Sequence, residues 1–155
     1  MPKTEDYSID LANEEDVIDL VILGKEFAKE AQVGFLGWSN DKVSRSLSDA
    51  IARDDFLVVV MRHRTEAVGM LVAFVTPCFF SDAMQAVEIV WYATPEHRGT
   101  KGAHRMVEHY EKWAKEAGAV CTNLSNLDIL KADRVRKLYE RKGYRLTENT
   151  FIKRL

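Results

Sequence analysis

The chain has 155 residues, 46 % apolar and 30 % charged, with 22 lysines and arginines against 24 acids for a net charge of −2. This size and balance fit one domain spanning residues 1–155, exclude disordered, collagenous and coiled-coil chains, and remove the basic field that non-specific nucleic-acid binding needs. The first eight residues, Met1 to Ser8, lack the basic-then-apolar pattern of a secretion signal, and no stretch approaches the ~20 apolar residues that cross a bilayer. A cytoplasmic protein with no membrane partner is expected. Cys78 and Cys121 lie far apart and outside any CxxC pair, which suits free thiols in a reducing compartment.

In chain order, Tyr7 to Leu11 reads as a short strand, and Asn13 followed by three acids as the start of a helix. That helix carries Val17, Leu20, Val21, Gly24, Phe27, Ala28 and Ala31 at helical spacing. A second helix follows Ser39, with Val43, Leu47, Ala50 and Ile51 on one stripe. Phe56 to Met61, a polar turn around His63 to Glu66, and Ala67 to Val75 read as an antiparallel hairpin. Both of its runs are apolar on both faces, so the sheet is expected to be covered on both sides. Ala86 to Ala93 is another buried-type strand, interrupted by one acid, Glu88.

From Arg98 the spacing is helical to a stop at Gly118, with Ala103, Met106, Val107, Tyr110, Trp113 and Ala114 on one face. Ala119 to Leu124 is a short strand, and a last helix from about Leu130 to Lys142 turns Val135, Leu138 and Tyr139 inward before Gly143. Tyr144 to Thr147 and Phe151 to Leu155 are expected to complete the sheet. The order implies an α/β (α+β) fold, a mixed sheet flanked by helices.

The segment Trp91-Tyr-Ala-Thr-Pro-Glu-His-Arg-Gly-Thr-Lys-Gly-Ala103 runs from a strand through a glycine-bearing turn into a long helix. The first amides of a helix lack intrahelical acceptors and its dipole is positive there, so strand-turn-helix suits a pyrophosphate. Gly99 and Gly102 would permit close approach, and Arg98 and Lys101 add charge. An ordinary helix start has the same pattern, and neither GxxxxGK nor GxGxxG is present.

Arg98-Gly-Thr-Lys-Gly-Ala103, the helix after it, and Leu138-Tyr-Glu-Arg-Lys-Gly-Tyr144 resemble landmarks of the GNAT superfamily of N-acetyltransferases: a Q/R-x-x-G-x-G/A loop and an L-Y-x-x-x-G-F/Y motif, in the same order. The likeness covers nearly the whole chain, and its texture is similar to small members encoded by tailed bacteriophages. It implies the GNAT fold, a mostly antiparallel mixed sheet. It also implies acetyl-coenzyme A as cosubstrate, held by the backbone of Val90, Trp91 and Tyr92 and by the loop Arg98, Gly99, Thr100, Lys101, Gly102 and Ala103. Two positions depart: Lys101 stands where the family usually has glycine, and Ala132 where it often has asparagine.

The resemblance implies transfer of an acetyl group to a primary amine of a small molecule or a protein by direct attack in a ternary complex. Tyr139 would donate to the departing sulfur, its other reading being a core tyrosine. Glu88 would act as base, its carboxylate made costly by an apolar strand; it would otherwise face solvent or pair with an arginine. The alternative to an enzyme is a non-catalytic GNAT-like module that binds coenzyme A or a protein. His97, His104 and His109 lack metal-ligand spacing, so no metal is expected. The run Arg134, Arg136, Lys137, Arg141, Lys142, Arg145 reads as a solvated face or a 3′-phosphate site. Gln32 to Ser39 together with Pro77 to Met84, rich in aromatics, would wall the acceptor or pack a homodimer.

Overall fold

Val58 and Val60 turn to one face of their strand while Leu57, Val59 and Met61 turn to the other, and all five are buried. The doubly apolar run thus sits between two layers, as its sequence requires. The structure, a computed structural model describing residues 6–126 and 132–155, contains β1 (Tyr7–Leu11), α1 (Val17–Glu30), α2 (Asn40–Ile51), β2 (Phe56–His63), β3 (Glu66–Pro77), β4 (Met84–Ala93), α3 (Lys101–Glu116), β5 (Ala119–Asn123) and α4 (Ala132–Arg141). The sheet order is β1-β2-β3-β4-β5, with antiparallel pairs up to β4 and a parallel β4–β5 pair joined through α3. One core cluster lies between the sheet and α3, centred on Met106 and Tyr110. The other lies between the sheet and α1 and α2, centred on Leu20.

Helix boundaries follow local chemistry. Asn13 and Asp16 form a reciprocal capping box, and a single 3-10 turn, Glu14–Asp16, precedes α1. Asp16 is buried and its carboxylate also meets the Arg62 guanidinium, tying the start of α1 to β2. Ser39 caps α2 by accepting from the Lys42 amide. Gly118 and Gly143 take φ of 83° and 90° where α3 and α4 end.

Two expectations are corrected, and a third falls outside the described residues. The third helix begins at Lys101 rather than Arg98, because Pro95–His97 form a separate 3-10 turn and Gly99, at φ 68°, breaks the helical path. The last helix is seen from Ala132, its expected start at Leu130 lying outside the described residues. Residues 144–155 form no strand, and Leu146, Phe151, Ile152 and Leu155 are exposed. Strand-favouring side chains need a pleated surface to pack on. Tyr144 instead gives its amide to the Tyr139 carbonyl, and its hydroxyl reaches Thr122 and Glu111, so the chain closes the end of α4. Among the described residues, no helix is long and apolar enough to cross a membrane.

Gly102, in the first turn of α3, is required by packing. A Cβ there would lie 2.7 Å from the Tyr7 ring and 2.8 Å from the Met61 sulfur, whereas one at Gly34 would meet nothing within 4 Å. Gly102→Ala is expected to lower stability by about 1–3 kcal/mol despite the helix-propensity gain. Gly34→Ala should stay within about 0.5 kcal/mol. Urea denaturation of both variants measures the difference.

Candidate functional site

β4 has a partner on each side only along its first half. Its pairs with β5 run from Met84↔Ala119 to Val87↔Asn123, whereas its pairs with β3 continue to Ala93. From Glu88 to Ala93 one edge of β4 has no strand partner among the described residues, so alternate N–H and C=O groups along it are free of ladder pairing. A bulge sits at the head of this edge: Ala73 pairs with Glu88 and Val72 with Val90, leaving Ile89 unpaired. The extra residue changes the face on which later side chains fall. Ala86 and Glu88 precede it; Trp91 and Ala93 follow it on the same, α3-facing side, and Val90 and Tyr92 turn toward α1 and α2.

At the bulge, Glu88 and Tyr139 meet through one residue. The Ser125 amide donates to Glu88 Oε2 at 3.0 Å, and the Tyr139 hydroxyl donates to the Ser125 carbonyl at 2.6 Å. Burial pushes the Glu88 carboxyl up to about 7, opposed in part by the Ser125 amide. Burial, with Glu88 nearby, pushes the Tyr139 hydroxyl far above the usual phenol range, so it stays protonated. The Tyr139 ring lies between Trp91 and Tyr144, at 6.0 and 5.7 Å between centroids. The Trp91 indole N–H is buried and has no acceptor among the described residues. Tyr110 donates to the Asn123 carbonyl at 3.0 Å, fixing the last residue of β5 where the strands part.

At the other end of the open edge, the Thr100 hydroxyl donates to the His97 carbonyl and accepts from the Ala103 amide. The cap takes one of the free amides of α3 and leaves those of Lys101 and Gly102 directed out of the helix start. Lys101 is exposed. Arg98 is committed inward: its Nε donates to the Ala93 carbonyl at 2.9 Å, its guanidinium pairs with Glu30, and it lies 5.5 Å over the Tyr92 ring. Its charge is therefore compensated by Glu30 of α1. Lys142, just past α4, pairs with Glu108 of α3 at 3.9 Å, and burial, then Lys142 and Arg141, push the His104 imidazole down. Arg136 of the same run pairs with Glu140 on the surface.

The two expected halves of the acceptor wall stand apart. Glu30, after which the 31–39 segment leaves α1, meets Tyr92, and Trp38 packs over Gly24 of the same helix. Pro77 and Met84 bound the other turn at the opposite end of β4, about 30 Å away along an extended strand. Phe79 and Phe80 there are 94 % and 90 % exposed. His97 is held by the Tyr7 hydroxyl at 2.7 Å, and no cluster of three metal-ligating side chains exists among the described residues. Ser125 and Glu30 were not legible as site residues, Ser125 because only its backbone acts and Glu30 because its partner lies 68 positions away. Tyr144 had a signal, as the closing residue of the L-Y-x-x-x-G-F/Y motif.

The sequence matches the Acetyltransferase (GNAT) family over residues 24–144. No curated protein matches it significantly. Among solved structures it is similar to an aminoglycoside acetyltransferase from an uncultured soil metagenomic sample, with TM-score 0.76, 14 % identity and 97 % of each chain covered. It is similar as well to a ribosomal-protein-alanine N-acetyltransferase from Brucella melitensis biovar Abortus 2308, with TM-score 0.71, 17 % identity, and 96 % of this chain and 99 % of that one covered. A third is AAC(6')-Iy, solved with the bisubstrate analogue CoA-S-monomethyl-acetylneamine: TM-score 0.75, 14 % identity, and 96 % and 97 % covered. The structural likeness, at these low identities, shows the shared fold alone. It gives no support to the narrower likeness to phage-encoded members.

The Glu88 carboxyl has a testable thermodynamic consequence. Its folded value near 7 lies above its ordinary 4.5, so between these pH values the folded chain binds more protons than the unfolded one. Stability therefore falls as pH rises through that window, by up to about 3 kcal/mol from this group. Glu88→Gln should match wild type at pH 4 and be the more stable of the two at pH 8, measured by urea denaturation across pH.

Proposed function

Because the chain belongs to the acetyltransferase (GNAT) family, we propose that its 155 residues form one N-acetyltransferase domain that passes the acetyl group of acetyl-coenzyme A to a primary amine. The observation that carries this reading is the open edge of β4, which runs from the Glu88–Ser125–Tyr139 cluster to the free amides at the start of α3. The residues present fit the coenzyme. Pantetheine is an extended chain with two amides, suited to pair with Glu88 to Ala93 as a missing strand would. The Lys101 and Gly102 amides and the Lys101 side chain would take the pyrophosphate, with Gly99 and the Thr100 and Ala103 cap shaping the turn. Arg141 and Lys142 would supply positive charge for the 3′-phosphate.

When bound, acetyl-coenzyme A supplies an activated acetyl carbonyl. Glu88, ionised above about 7, takes the proton that the amine loses as its nitrogen bonds to the acetyl carbon. The backbone at Val90 to Tyr92 offers amides to the carbonyl oxygen. As the carbon–sulfur bond breaks, the Tyr139 hydroxyl turns its single proton from the Ser125 carbonyl to the thiolate sulfur, after which Glu88 returns its proton to solvent and Tyr139 regains one. The reaction is direct, with no acyl-enzyme formed on either cysteine. The acceptor is an amine of a small molecule or a protein, and the setting is cytoplasmic.

Acetyl transfer measured on a panel of aminoglycosides, polyamines and peptide N-termini tests the proposal. Turnover is expected on at least one class, with an acidic limb in the pH–rate profile near 7. Tyr139→Phe should lower kcat about 10²-fold with the KM for acetyl-coenzyme A nearly unchanged. Coenzyme binding without transfer to any amine would favour a binding module.

A further inference from the structure

Glu88 comes from the bulge in β4 and Tyr139 from α4, on elements far apart in the chain, yet both are held by Ser125. Ser125 lies two residues past the last β4–β5 pair, at the point where β5 has left the sheet. Its N–H and C=O are therefore free of strand pairing. The N–H meets the carboxylate and the C=O meets the hydroxyl, in each case with the polarity the partner needs.

We propose that Ser125 is a positioning residue that fixes the Glu88 carboxylate and the Tyr139 hydroxyl relative to each other through its own two peptide groups. Its meaning for catalysis rests on the acetyl-transfer reading; its structural content does not. A charge-assisted bond from the amide favours the ionised carboxylate, offsetting part of the burial that raises Glu88. The titratable groups facing Glu88 are Tyr139 from α4 and Tyr110 from α3, both with raised hydroxyls and neutral throughout the range in which Glu88 titrates. The amide is thus the one nearby group that draws Glu88 toward ionisation among the described residues. Because peptide groups carry the role, the Ser125 side chain is dispensable to it.

The experiment is an NMR titration of the full chain without coenzyme from pH 5 to 9, following the Glu88 side-chain carboxyl carbon and the Ser125 amide proton. The amide is expected to move with the same midpoint as the carboxyl, and to stop titrating in Glu88→Gln. Ser125→Pro, which removes the N–H and keeps the C=O, should raise the Glu88 midpoint by about one unit. Ser125→Ala, which keeps both groups, should leave the midpoint in place. A Ser125 amide that is flat across the titration overturns the proposal, and so does an unmoved midpoint in folded Ser125→Pro. If that variant does not fold, the wild-type amide titration decides. A rate profile that ignores the Glu88 midpoint, while the two NMR signals titrate together, counts against the acetyl-transfer reading and leaves this inference standing.

Discussion

The parting of β4 from β5 after Val87 and Asn123 is the constraint on which the rest of the structure turns. Backbone N–H and C=O groups removed from water need partners, and a strand inside a sheet normally finds them on both sides. Here β3 holds β4 along its whole length while β5 holds only its first half. The strand cannot close the gap by shifting, because its two faces are locked into different cores: Ala86 and Ala93 with α3, Val90 and Tyr92 with α1 and α2. The packing of both layers thus maintains a row of peptide groups with no strand partner among the described residues, for which an amide-bearing ligand is the natural complement.

Charge is arranged around this row with some economy. Arg98, which the sequence offers as a phosphate ligand, is held here by Glu30, Tyr92 and the Ala93 carbonyl and braces the loop against α1 and β4. What remains free at the helix start is backbone plus Lys101, and backbone amides are fixed donors that lose no side-chain freedom on binding. At the bulge the arrangement is reversed. Among the described residues Glu88 has no cation against it, only a peptide N–H, so burial keeps its affinity for a proton high.

Much of this was written in local patterns. The apolar runs of β2, β3 and β4, the Asn13 and Ser39 caps and the stops at Gly118 and Gly143 are legible because each depends on neighbours in the chain. The isolated acid at 88 was legible as an anomaly, and Tyr139 through its motif. Three things were not. The bulge at Ile89 depends on register with β3, which no side chain in β4 announces. The packing of Gly102 depends on the Tyr7 ring of a strand far away in sequence, which forbids a Cβ there. Residues 144–155 have strand composition, but composition records fitness for a pleated surface and does not create one. Each miss is a long-range contact that a local reading cannot contain.

Hydrogen exchange with and without coenzyme A tests most directly whether the open edge of β4 is the ligand site. Before ligand is added, amides of Glu88 to Ala93 that do not bond to β3 should exchange faster than those of the fully paired centre of β2. On addition of coenzyme A, protection should rise at these amides and at Lys101 and Gly102, and change little in β1 and β2. Protection appearing instead in the groove between α1 and α2, lined by Ile18, Ile22 and Ser44, or no change along β4 at saturating coenzyme, would contradict the account.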